Sequence, residues 1–295
     1  MTARPMHSGS VPLSPGQCAE LACLLEVAAR KPGNIHREAD FEDVRYVDFV
    51  MSAVAIGRVL DRAGDLGVGE TVLECVRRTR ELTGTNTNLG MVLLLAPLAA
   101  VPVGRPLRDG VAEALSRLTE ADARAVYEAI RLARPGGMGR VPEEDIANDP
   151  TQDLVSVMRL AAERDLVARQ YANNFREIFE EAVPVLRDSI ASGLDWEQAI
   201  IRCHLDLMAR HPDTLIARKR GQSEANESAR RAAAVLAAGW PSRPESQRLF
   251  TELDGWLRAV GHGRNPGTTA DLVTASLFVA LRNGTIGFTE HRPPA

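Results

Sequence analysis

The chain has few lysines, few aromatic residues and no apolar run long enough to cross a membrane. Of its 35 basic residues, only Lys31 and Lys219 are lysines. A lysine retained in such an arginine-rich chain indicates either a need for a compact ammonium, for instance on a phosphate, or chance. Aromatic residues make up 4% of the chain, which favours helices packed through aliphatic side chains over a β-sandwich. The strongest apolar run, residues 91–100, is about half the ~20 residues that a membrane span requires.

The charge and the cysteine pattern exclude further classes of protein. A net charge of −4 provides no basic field for a nucleic-acid backbone, so nucleic acid is not an expected partner. The four cysteines form no CxxC pair and have no histidine at zinc-ligand spacing, which predicts reduced thiols in the core. Residues 1–15 contain no apolar stretch of the signal-peptide type. We therefore expect a soluble, cytoplasmic protein with a disordered lead-in over residues 1–13 and a single domain over residues 14–295.

Helix signals recur along the chain, and no segment of comparable length alternates with period two. Start signals that combine a capping side chain with a following proline, glutamine or glutamate occur at Ser14, Asp149, Asp195 and Ser242. Apolar residues between these signals return at three- and four-residue steps. The pattern predicts an all-α bundle of many helices, with one long helix over residues 150–190 that breaks near Pro184.

Five polar segments that contain glycine or proline interrupt the helical pattern: residues 31–40, 84–90, 135–140, 211–221 and 265–271. Together they hold both lysines and many polar groups with no obvious partner. Loops held by a rigid scaffold are where binding and catalytic groups concentrate, because irregular backbone leaves amides free to meet a ligand. We expect these interhelical loops to line one central polar cleft. The alternative, a purely structural helical protein, predicts that the five segments lie far apart.

Two of the segments have features typical of phosphate binding. Asn265 followed by a proline predicts a helix start, where Gly267, Thr268 and Thr269 would present free amides at the positive end of the helix dipole. An ordinary capped helix is an equally good interpretation. The glycine-rich residues 135–140, with Gly137 and Gly139, could wrap a phosphate, but without a preceding strand a flexible connector is favoured.

Two further segments combine amides, hydroxyls and charges. Asn86, Thr87 and Asn88 precede an apolar helix, and they either cap it or bind a sugar or a base edge. In residues 211–221, Asp213 stands one or two helical turns before the adjacent cations Arg218 and Lys219. Such cations repel each other unless something negative is near, and either a triphosphate or a few surface glutamates would serve.

The first segment is dense in charges of both signs. It supplies Lys31, Asn34, His36, Arg37 and Asp40 within ten residues. Carboxylates at this density can hold Mg²⁺, and a histidine can move a proton near neutral pH. The alternative is a solvated loop whose charges pair with one another.

The order and the residue sequences of these segments resemble the motifs of the triphosphoribosyl-dephospho-CoA synthase family over most of the chain. The shared motifs are Lys-Pro-Gly at 31–33, Asn-Thr at 86–87, Asp-Thr at 213–214 and Pro-Gly-Thr-Thr-Ala-Asp at 266–271. Two positions depart from the family pattern, because His36 replaces an aspartate and Asn88-Leu89 replaces a His-Lys pair. With these two departures, the motif sequences resemble those of a divergent branch of the family found in methanogens and one-carbon-metabolising bacteria.

The resemblance implies an all-α transferase that joins C1 of the ATP ribose to a ribose hydroxyl of 3′-dephospho-CoA and releases adenine. Such chemistry needs a general base, a stabilised oxocarbenium-like centre, help for the departing base and cations on the triphosphate. An enzyme of one-carbon cofactor biosynthesis and a non-catalytic nucleotide- or CoA-binding module are the alternatives. A homodimer is one option for the oligomeric state.

We assign the following roles on this basis. His36 would transfer a proton, Asp40 and Asp213 would hold Mg²⁺ or stabilise transition-state charge, and Asp271 would act as the base or contact a ribose. The expected substrate-binding residues are Lys31, Asn34, Arg37, Asn86, Thr87, Asn88, Gly137, Gly139, Arg218, Lys219, Gly267, Thr268 and Thr269.

Overall fold

The computed structural model describes residues 12–136 and 143–286, and the regular secondary structure of these residues is almost entirely helical. The helices are α1 (Pro15–Ala28), α2 (Tyr46–Leu60), α3 (Ala63–Leu66), α4 (Val68–Thr83), α5 (Leu89–Ala99), α6 (Leu107–Ser116), α7 (Glu120–Ala133), α8 (Leu154–Ala161), α9 (Leu166–Ala172), a π-helical turn (Ile178–Ala182), α10 (Val183–Ala191), α11 (Trp196–Arg210), α12 (Thr214–Arg220), α13 (Gln222–Ala237), α14 (Pro244–Arg258) and α15 (Gly267–Arg282). A four-residue extended segment, β1 (Ala259–His262), follows α14. The predicted all-α class is confirmed.

Helices α5 and α15 form the centre of the fold. Every residue of α5 except Gly90 is buried, and so is α15 from Thr268 to Ala280 apart from Asp271. A helix that is apolar on all sides is stable only when neighbours surround it. Helix α15 contacts α1, α5, α10 and α11, while α4 packs against the other side of α5. The core is therefore aliphatic and lies between an N-terminal and a C-terminal group of helices.

Local capping sets several of the helix starts as predicted. Ser14 and Gln17 form a reciprocal capping box at the start of α1, and Asp195 and Gln198 form another at α11. The expected start at Asp149 is wrong, because α8 begins at Leu154 and is capped by Asp153. Asp153, four residues downstream of Asp149, provides the same type of cap, and the apolar face of α8 begins only after Asp153.

The long helix predicted over residues 150–190 is wrong. The structure divides it into α8, α9, the π-helical turn and α10. Asp165 caps α9, while Asn174 and Phe175 adopt positive φ angles of 58° and 61° that end it. Pro184 causes no break, since it occupies the first turn of α10, where its missing amide hydrogen costs nothing.

The remaining predictions about the core agree with the structure. Cys18, Cys23, Cys75 and Cys203 are all buried and none forms a disulfide. Among the described helices, none has the length and hydrophobicity needed to cross a membrane. The proposed lead-in over residues 1–13 falls mostly outside the described residues and stays a prediction.

Candidate active site

A large cleft of about 1040 Å³ opens where the helical scaffold is interrupted. All five polar segments contribute to its wall, so the predicted convergence of these segments on one cleft is confirmed. The contributing residues are Asn34, Ile35, residues 84–90, Pro135, Gly136, Thr214, Leu215, Ala217, Arg218, Lys219, Asn265, Gly267, Thr268, Ala270 and Asp271. Of the predicted loop residues, Gly137 and Gly139 lie outside the described residues.

Helices α5, α9, α12 and α15 are among those that begin at this cleft. The N-terminus of a helix carries partial positive charge and unsatisfied amides, so this convergence favours an anionic ligand. Within the described residues, the amides of Gly90 in α5 and Thr268 in α15 have no hydrogen-bond acceptor, and both residues line the cleft. These two helix starts remain available to a phosphate, whereas aspartates cap the starts of α9 and α12.

Asp213 joins two of these helix starts from behind the cleft. One carboxylate oxygen accepts from the amides of Leu215 (2.9 Å) and Ile216 (3.0 Å), and the other accepts from the amide and the hydroxyl of Thr269 (both 2.8 Å). Burial raises the pKa of Asp213, and these four hydrogen bonds oppose the rise. Asp213 is fully buried and, like Thr269, does not line the cleft. These bonds give Asp213 a structural role, and they lend no support to the catalytic and metal-binding roles expected from the sequence.

We expect Asp213→Ala to lower the free energy of unfolding by about 3 kcal/mol or more, since several buried donors lose a charged acceptor. Urea unfolding followed by circular dichroism would measure the loss. Asp40→Ala is the matched control, because Asp40 is exposed and accepts only from the amide of Tyr46. Equal losses in the two variants would contradict the structural role of Asp213.

The first segment contributes only Asn34 and Ile35 to the cleft. Lys31 is fully buried 3.0 Å from the Glu26 carboxylate, and Arg37 binds Glu197 at 3.1 Å. Asp40 is exposed and accepts from the Tyr46 amide at 2.6 Å. The expected contacts of these three predicted residues with substrate or metal are therefore not supported. The self-paired loop considered as the alternative describes most of this segment.

His36 is not among the residues that line the cleft, although its neighbour Ile35 is. It is 8% exposed, and its Nδ1 accepts from the amide of Glu38 at 3.3 Å. Burial, with a further contribution from the Arg258 charge, lowers the pKa of His36 to about 4. The imidazole is therefore neutral near pH 7 and does not line the cleft, so the proton-transfer role expected from the sequence is not supported.

The residues of the second segment line the cleft but are already bonded within the protein. Asn86 Oδ1 accepts from the amide of Leu89 at 3.2 Å, and Asn88 Nδ2 donates to Thr79 Oγ1 at 3.0 Å. The hydroxyl of Thr87 is hydrogen-bonded to that of Ser52. The helix-capping interpretation accounts for Asn86, while binding of a sugar or base by this segment stays a prediction.

Arg218 and Lys219 bring positive charge to the cleft with little neutralisation by the protein. The Arg218 guanidinium is 3.6 Å from the Asp165 carboxylate, whose other oxygen caps α9. The Lys219 ammonium has one long hydrogen bond, to the carbonyl of His262 at 3.4 Å. Burial lowers the pKa of Lys219, and the neighbouring Arg218 lowers it further. An anionic ligand would relieve both effects.

Asp271 is the one predicted catalytic carboxylate that lines the cleft. Among the described residues it has no hydrogen-bond or ion-pair partner. It lies against Gly90, where an added Cβ would come within 2.0 Å of its Oδ2, so only glycine leaves room for this carboxylate. Burial raises the pKa of Asp271 well above its usual value, and the charges of Glu26 and Asp213 add to the rise while Arg218 opposes it.

The residues expected to hold Mg²⁺ do not fit that role. Asp213 has both oxygens saturated by protein donors, and Asp40 lies outside the cleft. Within residues 12–136 and 143–286, no three histidine, cysteine or acidic side chains are grouped as a metal site. Binding of Mg²⁺ stays a prediction from the sequence.

The sequence interpretation missed several residues that line the cleft. Asp165 was not among the predicted site residues, although an aspartate ahead of an apolar run is a capping signal that could have located it. Phe41, His262 and the side chain of Asn265 also line the cleft. No local signal marked the first two, because their position depends on how α14 packs against the first segment.

The all-helical scaffold presents cations and free helix amides at one cleft, an arrangement that suits a phosphorylated ligand. The family model described as CitG, ATP:dephospho-CoA triphosphoribosyl transferase, matches residues 12–289, and the chain belongs to this family. The resemblance drawn from the sequence is thereby confirmed.

Individual relatives agree with this assignment. A 2-(5″-triphosphoribosyl)-3′-dephosphocoenzyme-A synthase of Pectobacterium atrosepticum is 31% identical over 102 residues, which is 35% of this chain and 32% of the relative. The match therefore spans about a third of that relative's length. A crystal structure from Archaeoglobus fulgidus, described as that of a candidate triphosphoribosyl-dephospho-CoA synthase, superimposes with a TM-score of 0.62 at 28% identity. It covers 79% of this chain and 98% of its own.

Proposed function

We propose that this protein transfers the triphosphoribosyl group of ATP to a ribose hydroxyl of 3′-dephospho-CoA and releases adenine. The observation that carries the proposal is the unpartnered carboxylate of Asp271, which lies in a cleft that also presents Arg218, Lys219 and free helix amides. A base of raised pKa beside an anion site is what this reaction requires.

The reaction exchanges one bond to C1 of the ATP ribose for another. The acceptor hydroxyl oxygen forms a bond to C1, and the bond from C1 to N9 of adenine breaks with its electron pair leaving on the base. Asp271 in its ionised form accepts the hydroxyl proton, and one proton is returned to adenine, so that neutral adenine departs. The Asp271 carboxylate also stabilises the positive charge that develops at C1.

The triphosphate would be held by the cations and by the helix starts that surround Asp271. Arg218 offers a planar fork suited to phosphate oxygens, and Lys219 offers a point charge. The free amides of Gly90 and Thr268 add donors at the positive ends of α5 and α15. In the family pattern a His-Lys pair would stand at 88–89. Here Asn88 is bonded to Thr79 and Leu89 is buried, so Arg218 and Lys219 take over the cationic role.

The acceptor would occupy the side of the cleft formed by α7 and α8. This wall is aliphatic, with Val126, Ile130, Leu154, Val157 and Met158 facing the cavity. The pantetheine arm of dephospho-CoA is long and uncharged, and burying it against aliphatic side chains is favourable. These substrates, ATP and a CoA precursor, support a cytoplasmic location, and the homodimer considered from the sequence stays a prediction.

The direct test is to incubate the purified protein with ATP, Mg²⁺ and dephospho-CoA. We expect free adenine by chromatography, in equal amount to a product whose mass equals the sum of the two substrates less adenine. ATP that binds by calorimetry without any adenine release would overturn the proposed function and favour a binding module.

Arg218→Gln should raise KM for ATP by about 10- to 100-fold, because one charge-assisted contact to phosphate is lost. Steady-state kinetics with saturating acceptor would measure the change. Arg230→Gln is the control, since Arg230 lies on the exposed face of α13, 2.7 Å from Glu227. An unchanged KM in Arg218→Gln would contradict the assignment of Arg218 to the triphosphate.

A further inference from the structure

A histidine paired with a carboxylate stands at one wall of the cleft. His262, on β1, and Asp43, in the loop before α2, both line the cavity, and His262 Nδ1 lies 3.1 Å from Asp43 Oδ1. An ionised carboxylate only accepts hydrogen bonds, so this contact places a proton on Nδ1. Within the described part of the chain Nε2 has no partner, which leaves this nitrogen free to exchange a proton with a ligand.

The surroundings hold the imidazole in place. It meets the ring of Phe41, which also lines the cleft, edge to face, with the ring centroids 6.2 Å apart. The carbonyl of His262 accepts from the amide of Asn265 at 3.3 Å, and the carbonyl of Asn265 accepts from the amide of Gly267 at 2.8 Å. Backbone hydrogen bonds therefore connect the turn that follows His262 to the first turn of α15, the helix that carries Asp271.

The pair of His262 and Asp43 also adjoins the site proposed for the triphosphate. Lys219 Nζ donates to the carbonyl of His262 at 3.4 Å. Burial and the charge of Arg218 lower the pKa of Lys219, and the Asp43 carboxylate opposes them. In ATP the base and the triphosphate are attached to the same ribose. A side chain beside the triphosphate site can therefore also contact the base.

The departing base needs a proton, and few groups of the cleft can supply one. Tyr127 is too weak an acid, since burial raises its pKa to about 12, and its hydroxyl donates to the carbonyl of Glu144 at 2.7 Å. Lys219 is occupied by the triphosphate in the proposed function. Among the histidines that the structure describes, only His262 lines the cleft. Histidine is the side chain that most often serves as a general acid or base in enzymes.

We propose that His262 is the general acid that protonates the departing adenine, and that Asp43 is a positioning residue that orients the imidazole. The inference rests on the proposed function, which leaves the source of this proton unassigned. It adds an acid on β1 to the base on α15.

The proton transfers balance as follows. As the bond from C1 to N9 breaks, its electron pair passes to the base, and the Nε2 proton of the imidazolium moves to a second ring nitrogen, N7 or N3. Neutral adenine leaves, and a neutral imidazole remains with its Nδ1 proton directed at Asp43. Asp271 has taken the hydroxyl proton of the acceptor. Both side chains return to their starting states when Asp271 releases a proton to water and His262 takes one up.

ATP analogues that lack one ring nitrogen test this assignment. Purified wild type and His262→Gln would be compared on ATP, 7-deaza-ATP and 3-deaza-ATP at saturating dephospho-CoA and Mg²⁺, with the released base measured by chromatography. On ATP, kcat of His262→Gln should fall by about 10²-fold or more, because glutamine cannot supply the proton. On the analogue that lacks the protonated nitrogen, wild type also loses this step, so the two proteins should agree within about threefold.

Asp43→Asn should lower kcat on ATP by about tenfold, because asparagine no longer fixes the tautomer and orientation of the imidazole. This loss should disappear on the same analogue, whereas a merely structural role of Asp43 would lower kcat on all three substrates alike. His211→Gln is the matched control. His211 is also paired with a carboxylate, with Nε2 2.9 Å from Glu181 Oε2, but it does not line the cleft. Its kcat should match that of wild type on every substrate.

Two results would overturn the assignment. One is a His262→Gln protein that keeps kcat on ATP within about threefold of wild type, and the other is an equal loss on ATP and on both analogues. The His262 side chain is 49% exposed, so we expect the variant to fold, and circular dichroism would verify it. If wild type releases no adenine from ATP, the transferase and the acid are both wrong. Adenine release that does not depend on His262 removes the acid alone.

Discussion

Asp271→Asn should lower kcat by about 10²- to 10⁴-fold, the usual contribution of a general base, and should at the same time stabilise the fold near neutral pH. The first effect follows because an amide cannot accept the hydroxyl proton. The second follows because burial without a partner makes ionisation of this carboxylate, which lies against Gly90, costly in the folded protein. Asparagine has nearly the same shape and carries no charge.

The pH dependence gives the sign of the stability effect. The pKa of Asp271 in the folded protein is raised, chiefly by burial, above its value in the unfolded chain. Its contribution to stability is therefore full below the unfolded pKa and is lost as pH rises through the folded pKa. Wild type and Asp271→Asn should unfold alike in acid and diverge at higher pH, with the variant more stable.

Two measurements check this prediction: urea unfolding across pH 4 to 8 and the pH profile of kcat. In wild type, kcat should rise with pH as Asp271 ionises. Asp188→Asn is a suitable control, because Asp188 is exposed and pairs only with the neighbouring Arg187. A variant that keeps kcat within tenfold of wild type, or that is less stable at pH 7, would contradict the role given to Asp271.

Lys31→Met should lower the free energy of unfolding by about 3–5 kcal/mol, because it leaves the Glu26 carboxylate as an unpaired charge in the core. Both side chains are at most 2% exposed, and the ammonium also donates to the carbonyl of Ala29 at 3.1 Å. Burial lowers the pKa of Lys31, while the ion pair with Glu26 opposes that shift. Each of these two buried charges is therefore stabilised by the presence of the other.

The double variant Glu26→Leu with Lys31→Met separates structure from ligand binding. Replacing both partners by apolar groups should recover at least half of the lost stability, as measured by urea unfolding. KM for ATP in the double variant should stay close to the wild-type value. A stable Lys31→Met protein with a greatly raised KM would instead restore the phosphate-binding role that the sequence suggested.

The sequence predicted those features that depend on local chemistry. The capping boxes at Ser14 and Asp195 use residues three positions apart, and the Asn-Pro helix start at 265–266 lies within one residue of the observed start of α15. The convergence of the polar segments could also be anticipated, because loops that break a helical scaffold leave unsatisfied backbone groups that must be covered or used. Asp271 was placed correctly in the cleft for this reason.

The errors concern residues whose role depends on a distant partner. Nothing near Lys31 in the sequence shows that its ammonium turns back toward Glu26, and nothing near Asp213 reveals Thr269 as its second partner. A buried structural aspartate and a catalytic aspartate have the same sequence signature. The sequence could not predict the unpaired amide atoms of Asn34 and Asn265 either, because whether a side chain finds a hydrogen-bond partner depends on how the helices pack.

Because lysine is scarce, this protein has few side-chain amines that could react with a reagent. Lys31 is enclosed in the core, so Lys219 is the one lysine amine of the chain that a reagent can reach without unfolding it. Its lowered pKa makes the neutral, nucleophilic amine more abundant than for an ordinary surface lysine. Amine-selective acylating or Schiff-base reagents should therefore modify the cleft at a single lysine side chain. If ATP protects this lysine, the decrease in labelling measures the fraction of protein whose cleft is occupied.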